Sequence, residues 1–184
     1  MKNKAILLLA IILCFVCVSC GANTQTDVGA ANDGIDFTGM SAQLLSGEQY
    51  DLKDEIGANR ICIVNIWATF CGPCISEMPE LDEIYREYPG TIGVVGICAD
   101  CSDYYGNIDD ELLKTAQKIA NDDLGLSYPN VVPSKEMQEY FLNEVEAVPL
   151  TYIVDDKGTI LESFYGKRSK EEFLKTVNKY LAEE

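Results

Sequence analysis

Apolar residues form near-continuous runs in the middle of the chain, and such runs predict strands that are buried on both faces of a mainly parallel sheet. The first run is 61–67, with the sequence ICIVNIW, and the second is 91–97, which is rich in glycine. A third apolar segment, 147–154, contains Pro149, and a proline is tolerated where a strand begins. These three segments are expected to form the centre of the sheet.

Helical spacing of apolar positions predicts four helices between and after these strands. The first begins at the cysteine pair 71–74, and Pro79 within it is expected to kink it. The others are expected at 109–122, at 134–143 with Ser134 as N-cap and Met137, Tyr140 and Phe141 facing inward, and from a capping box of Ser169 and Glu172 to about Leu181.

Shorter segments predict the edges of the fold. A hairpin is expected within 37–52, turning at Ser46 and Gly47, and a short strand at 130–132. A turn at 155–158 leads into an antiparallel edge strand at 159–165. The pattern therefore predicts an α/β fold, with a central mixed sheet of four or five strands, helices on both faces and an N-terminal hairpin.

The N-terminal segment has the pattern of a leader followed by a tether. Residues 1–19 read as a secretory signal peptide, because Lys2 and Lys4 precede an apolar run of 14 residues, which is shorter than the roughly 20 residues of a membrane-spanning helix. Residues 20–36 are rich in Gly, Ala, Asn, Thr and Asp, and a flexible tether is expected there. The folded domain is expected to occupy 37–184.

Composition removes several classes of function. The chain has a net charge of −16 and contains no histidine. The charge disfavours binding to nucleic acid and to anionic lipid headgroups. The absence of histidine excludes catalytic triads that use an imidazole base and metal sites that use histidine ligands.

The segment Cys71-Gly72-Pro73-Cys74 carries the candidate chemistry, because it ends a buried strand and opens a helix. Free N–H groups and the helix dipole stabilise a thiolate at a helix start. Cys71 is expected to be the exposed attacking sulfur, and Cys74 the sulfur that resolves the mixed disulfide. A half zinc knuckle or a static disulfide is the alternative interpretation of the spacing.

The sequences WATFCGPC and SEMPEL resemble the thioredoxin superfamily, and most closely its TlpA/ResA-like branch of extracytoplasmic thiol–disulfide oxidoreductases. The resemblance implies a thioredoxin fold. Ser19 followed by Cys20 also resembles a bacterial lipobox, although Cys17 stands where the family usually has leucine. A lipidated Cys20 would hold the domain on the outer face of the cell membrane, and an ordinary cleaved signal peptide is the alternative.

The same resemblance assigns roles around the cysteine pair. Pro149 is expected to be a cis-proline that lies against the pair, and Val148 to offer its backbone to an extended substrate. Substrate contact is also assigned to Trp67, Gly72 and Pro73. Trp67 starts the active-site loop and is expected to pack beside it, which is compatible with a core tryptophan.

A carboxyl group is the other assignment near the pair. Asn65 cannot titrate, and it stands where cytosolic thioredoxins have a buried aspartate. Glu77 is then the candidate group for tuning the cysteines, because it lies three residues after Cys74 on nearly the same helix face. A solvated surface glutamate is the alternative interpretation.

A second C-x-x-C segment, Cys98 to Cys101, follows the second core strand. Because the ends of neighbouring parallel strands meet at one edge of a sheet, this pair is expected near Cys71 and Cys74. Three interpretations remain open: a structural disulfide, a redox relay, or a zinc site made by all four thiolates. Cys62, within the first strand, is expected to be an inert core thiol.

The resemblance favours reduction of protein disulfides, since Gly-Pro between the cysteines is typical of reducing members. It implies a CcdA-like membrane electron donor, no cofactor, and substrates such as apocytochrome c, as in cytochrome c maturation, or oxidised methionine sulfoxide reductase. The alternatives are an oxidant that forms disulfides, a thiol peroxidase and a zinc-binding module. The peroxidase signature P-x-x-x-T-x-x-C is missing, because Val64 and Ala68 replace its Pro and Thr.

Overall fold

Seven strands form one mixed sheet in the computed structural model, which describes residues 34–182. The order across the sheet is β2-β1-β5-β4-β3-β6-β7. In chain order the strands are β1 (Ser41–Leu44), β2 (Gln49–Asp51), β3 (Ile61–Trp67), β4 (Ile92–Cys98), β5 (Asn130–Val132), β6 (Leu150–Asp155) and β7 (Ile160–Tyr165).

The predicted count of four or five strands is too low, because the N-terminal hairpin belongs to the same sheet. Strands β1 and β2 pair antiparallel as expected, and the turn between them includes Gly47 in the left-handed region. Strand β1 then also pairs antiparallel with β5. The hairpin thereby covers what would otherwise be the exposed edge of β5.

The three apolar segments form the centre of the sheet. Strands β3 and β4 run parallel, with Trp67 opposite Cys98 at their carboxyl ends, and every residue of both strands is buried. Strand β6 pairs antiparallel with the other side of β3, and β7 forms the antiparallel edge predicted from the sequence. The end of β3 therefore lies in the middle of the sheet, between segments that come from distant parts of the chain.

Five α-helices cover the sheet within the described residues. They are α1 (Leu52–Ala58), α2 (Gly72–Glu87), α3 (Asp110–Gln117), which continues into a π-helical segment (Lys118–Asp123), α4 (Lys135–Tyr140) and α5 (Lys170–Leu181). Short 3₁₀ turns occur at Phe37–Gly39 and Leu142–Glu144. Helix α1 is absent from the sequence-based prediction, and Pro79 lies inside a continuous α2.

The predicted helix starts are confirmed by their caps. The Ser134 hydroxyl accepts a hydrogen bond from the backbone N–H of Met137, and Ser169 with Glu172 forms both halves of a capping box. The inward orientation predicted for Tyr140 is wrong, because 63% of its surface is exposed, whereas Met137 and Phe141 are buried. Helix α4 is too short to bury all three.

Alternate residues of the central strands belong to two apolar clusters, one on each face of the sheet. The positions Ile61 and Ile63 face helices α2 and α5, while Cys62, Val64 and Ile66 face the opposite cluster. A third cluster lies at the carboxyl ends of β3 and β4. Its members include all four cysteines of the two C-x-x-C segments, together with Trp67 and Ala68.

The predicted leader, the lipidation at Cys20 and most of the predicted tether lie outside the described residues. The last residues assigned to the tether belong to the folded domain, because Ile35 packs on the core and Asp36 caps the first 3₁₀ turn. Between residues 34 and 182, the helices are all too short or too polar to cross a membrane.

Candidate active site

The cysteine pair lies where β3 ends and α2 begins, as the sequence predicts. Cys71 and Cys74 form a disulfide with their Cα atoms 5.3 Å apart. Cys71 is the N-cap of α2, and its sulfur accepts a hydrogen bond from the backbone N–H of Cys74 at 3.2 Å. Pro73 occupies the first helical turn, where its missing N–H costs no hydrogen bond. The Cys71 sulfur therefore lies in the field of free N–H groups that stabilises a thiolate.

The two sulfurs differ in accessibility. Cys71 keeps 5% of its surface exposed and Cys74 keeps none. The predicted exposed attacking sulfur is therefore mostly covered in the disulfide form, although it is the more accessible of the two. Gly72 and Pro73, which precede Cys74, are both exposed.

The loop before β6 closes the other side of the pair. The Val148–Pro149 peptide bond is cis, as the family resemblance predicts. The Val148 carbonyl oxygen lies 3.7 Å from the Cys71 sulfur, and Pro149 itself is buried. Val148 is partly exposed beside Cys71, the more accessible cysteine of the pair.

Trp67 is buried beside the active-site loop, so this form of the site gives it no exposed surface for the predicted substrate contact. Its side chain has no exposed surface, and its indole N–H donates a hydrogen bond to the Asn130 side-chain oxygen at 3.0 Å. The ring packs in the same cluster as both cysteine pairs. Trp67 therefore supports the site from beneath, because its indole N–H is satisfied inside the protein rather than by a ligand.

Phe70 is a site residue that the sequence reasoning missed. It directly precedes Cys71, and 79% of its surface is exposed, the largest value among the exposed large apolar side chains described. Single exposed apolar side chains are common on protein surfaces, so it is the place of Phe70 beside Cys71, and not its exposure alone, that makes it a candidate for substrate contact. Its position in the loop between the buried strand and the cysteine pair was the available signal.

Glu77 is buried rather than solvated, which removes the surface interpretation. Its carboxylate accepts hydrogen bonds from the Asn65 side-chain amide at 2.9 Å and from the Arg168 backbone N–H at 3.0 Å. The Asn65 amide also donates to the Thr151 hydroxyl at 3.1 Å. One carboxyl group thus connects α2 to β3 and to the segment after β7.

Burial also changes the acidity of Glu77. Loss of solvation raises the pKa of its carboxyl group to about 7, against the lowering effect of the hydrogen bonds from Arg168 and Asn65 and of the charge of Lys167. Both protonation states are consequently populated near neutral pH. A group of this kind can accept and release a proton close to the cysteine pair.

The second pair, Cys98 and Cys101, consists of two fully buried thiols whose sulfurs are 2.8 Å apart. Among the described residues, the side chains that could jointly hold a metal ion are Cys98, Asp100 and Cys101. In this structure Cys71 and Cys74 are bonded to each other, so their sulfurs are not available as thiolate ligands of the predicted four-thiolate zinc site. Cys62 is a buried core thiol, as predicted.

A disulfide at the start of a helix, opposite a cis-proline at the edge of a mixed sheet, defines the class of thioredoxin-fold thiol–disulfide oxidoreductases. The chain belongs to the AhpC/TSA family, whose model matches residues 32–163. The TlpA/ResA-like resemblance is confirmed by its curated relatives. The "Thioredoxin-like protein YneN" of Bacillus subtilis is 29% identical over 149 residues, which cover 81% of this chain and 80% of the relative.

Two further relatives support the same class. The "Thiol-disulfide oxidoreductase ResA" of Bacillus cereus is 26% identical over 176 residues, covering 94% of both chains. The crystal structure of a DsbF homologue from Corynebacterium diphtheriae superposes with a TM-score of 0.63 at 23% identity, covering 88% of this chain and 96% of that one. The latter match shows the thioredoxin-like fold, and the named relatives show a thiol–disulfide oxidoreductase.

Proposed function

We propose that this protein reduces disulfide bonds of other proteins outside the cell, with Cys71 as the attacking sulfur and Cys74 as the resolving sulfur. The observation that carries the proposal is the position of Cys71. Its sulfur caps α2, lies 3.2 Å from the Cys74 N–H and is the more accessible of the pair. This geometry supports a stabilised thiolate that a substrate can reach.

The reaction proceeds by two exchanges. The Cys71 thiolate attacks one sulfur of a substrate disulfide, which forms a mixed disulfide and releases the other substrate sulfur as a thiolate. Cys74 then loses its proton and attacks the Cys71 sulfur, which completes the Cys71–Cys74 disulfide and releases the second substrate thiolate. Two electrons pass to the substrate, and a donor dithiol restores the reduced pair.

Glu77 can accept and release a proton near Cys74, which the side-chain amide of Asn65 cannot do. It follows Cys74 by one helical turn, it is buried, and its pKa is close to neutral. Its neutral form favours the Cys74 thiolate, whereas its charged form raises the pKa of a neighbouring thiol. The protonation of Glu77 therefore tunes the second exchange.

The surface around Cys71 suits an extended apolar segment of substrate. Phe70, Gly72 and Pro73, which flank Cys71 in the sequence, are exposed. The Val148 carbonyl oxygen lies 3.7 Å from the Cys71 sulfur. An unfolded or loosely folded protein presents such a segment, which agrees with reduction of an apoprotein such as apocytochrome c or of an oxidised methionine sulfoxide reductase.

The cellular setting completes the proposal. A lipid on Cys20 would anchor the domain outside the cell, where a CcdA-like membrane protein would supply electrons. The Gly-Pro dipeptide between the cysteines supports the reducing direction. A thiol peroxidase is disfavoured, because Val64 and Ala68, which replace the Pro and Thr of the peroxidase signature, are buried apolar residues.

Insulin reduction and redox titration test the proposal together. The purified domain should reduce insulin with dithiothreitol as donor, C71S should be inactive, and C62A should match the wild type because Cys62 is a core thiol. The reduction potential should lie closer to roughly −270 mV, the thioredoxin value, than to about −120 mV, the value of DsbA. A reduction potential near the DsbA value would indicate that the protein forms disulfides instead of reducing them.

A further inference from the structure

The second cysteine pair lies directly beside the active-site loop. Cys98 stands opposite Trp67 in the parallel pairing of β3 and β4, and the next backbone N–H, that of Ala99, donates to the Trp67 carbonyl at 2.8 Å. Both pairs belong to one apolar cluster, which also contains Ala68. Their proximity follows from the topology of the sheet, since the two strands end at the same edge.

A single carboxylate connects the second pair to the active-site loop. Asp100 accepts hydrogen bonds from the Thr69 backbone N–H at 3.0 Å and from the Thr69 hydroxyl at 2.6 Å. Its other oxygen lies 3.3 Å from the Cys98 sulfur and accepts from that thiol. Thr69 is two residues before Cys71, so Asp100 touches the second pair and the loop that carries the first.

The second pair has the geometry of a dithiol that is ready to close. The Cys101 thiol donates to the Cys98 sulfur at 2.8 Å, which is less than 1 Å beyond the roughly 2.05 Å of a disulfide bond. Both side chains are fully buried. Burial, with the Cys101 hydrogen bond, raises the pKa of the Cys98 thiol above its usual range, so the pair is unreactive toward reagents in bulk solvent.

We infer that Cys98 and Cys101 form a second redox-active site that passes two electrons to the Cys71–Cys74 disulfide by internal thiol–disulfide exchange. The inference rests on the proposed function, because the substrate disulfide is the oxidant that leaves Cys71 and Cys74 bonded. The Cys98 sulfur loses its proton and attacks the buried Cys74 sulfur, which breaks the Cys71–Cys74 bond. Cys71 leaves as a thiolate, which the start of α2 stabilises.

The second half of the exchange balances the first. Cys101 loses its proton and attacks the Cys98 sulfur, which forms the Cys98–Cys101 disulfide and releases Cys74 as a thiolate. The protons of Cys98 and Cys101 end on Cys71 and Cys74. The active pair is then reduced again, so one fully reduced molecule can reduce two substrate disulfides before it meets its donor.

Counting electrons tests this inference. Wild-type protein is fully reduced, freed of reductant and mixed with excess insulin, then quenched in acid, denatured and alkylated so that mass spectrometry reports every cysteine. We expect two insulin disulfides reduced per molecule, with Cys98 and Cys101 oxidised. The double variant C98A/C101A should reduce one, and C62A, which removes an unpaired buried thiol, should reduce two.

The C71S variant separates internal exchange from direct oxidation. Its Cys98 and Cys101 should remain thiols in the presence of insulin, because they have no route to solvent. The inference is overturned if wild-type protein reduces one disulfide and keeps Cys98 and Cys101 as thiols, if these two resist the initial reduction, or if insulin oxidises them in C71S. If wild-type protein reduces no insulin, the proposed function itself fails.

Discussion

Glu77 couples the stability of the fold to pH. Its pKa is about 7 in the folded protein, against an ordinary value of 4.5. Between these values the unfolded chain has lost its proton while the folded protein keeps it, so the free energy of unfolding falls as pH rises. The pKa difference corresponds to about 3 kcal/mol at most, because one unit is about 1.4 kcal/mol.

The variant E77Q should lack this dependence. Urea denaturation between pH 4.5 and 7.5 should show the wild type losing about 3 kcal/mol relative to E77Q, with the loss complete above pH 7. The control E171Q, at an exposed position on α5, should keep the wild-type dependence. Parallel curves for wild type and E77Q would contradict the buried, nearly neutral carboxyl group.

The same variant reports on the cysteines. Because a charged Glu77 raises the pKa of a neighbouring thiol, alkylation of the reduced pair in E77Q should begin at lower pH than in the wild type, and exchange should slow. The measurement is the alkylation rate as a function of pH. Identical alkylation profiles for the wild type and E77Q would show that Glu77 does not affect the reactivity of the cysteine pair.

Phe70 should contribute to substrate affinity. The variant F70A should lower kcat/KM for insulin about tenfold, as expected when a buried aromatic contact worth about 1.4 kcal/mol is lost. Reduction of a small disulfide, which cannot reach the ring, should not change. The control Y88A removes an exposed aromatic ring at the far end of α2, and it should leave both rates unchanged.

Sequence alone predicted which residues carry reactive groups better than where their side chains point. The cysteine pair and Pro149 were predictable, because their chemistry depends on local order along the chain. The burial of Glu77 was not, because it depends on contacts with groups such as the Arg168 backbone, which is distant in sequence. Such partners leave no local pattern.

One hydrogen bond crosses β4, and it leaves room only for glycine at position 96. Trp67 on β3 reaches Asn130 on β5 across Gly96, and a Cβ atom at Gly96 would collide with the Asn130 oxygen and lie 3.2 Å from the indole nitrogen. The variant G96A should therefore lose about 2 to 4 kcal/mol in urea denaturation. Unchanged stability would contradict this packing.

The control for G96A is G57A, at a glycine of α1 where an added Cβ meets nothing within 4 Å. Alanine is favoured in helices, so stability should stay constant or rise by up to about 1 kcal/mol. If G96A destabilises the protein and G57A does not, the loss of stability comes from crowding at Gly96 and not from replacing a glycine in general.

The regular elements were predictable to different degrees. Strands β3 and β4 have long apolar runs and were predicted within about a residue, whereas β6 begins three residues after the start of the predicted segment 147–154. Helix α1 was missed because it has seven residues and buries just Leu52 and Ile56. The joining of the hairpin to β5 was also missed, because pairing between distant edge strands has no signature in either segment.

Attachment to the membrane is a prediction about the whole chain. If Cys20 is lipidated, intact protein should enter the detergent phase and incorporate labelled fatty acid, whereas C20A should do neither. The control C17A removes a cysteine three residues earlier, within the predicted leader, and should behave as the wild type. If C20A still incorporated the labelled fatty acid, the lipid would be attached to a residue other than Cys20.

The central claim is that Cys71 exchanges disulfides with a partner protein, and one trapping experiment tests it directly. In C74S the mixed disulfide cannot be resolved, so intact cells should yield the protein bonded through Cys71 to a partner that reductant releases. The control C71S/C74S should yield none. Finding no adduct of C74S under either oxidising or reducing growth conditions would contradict the account.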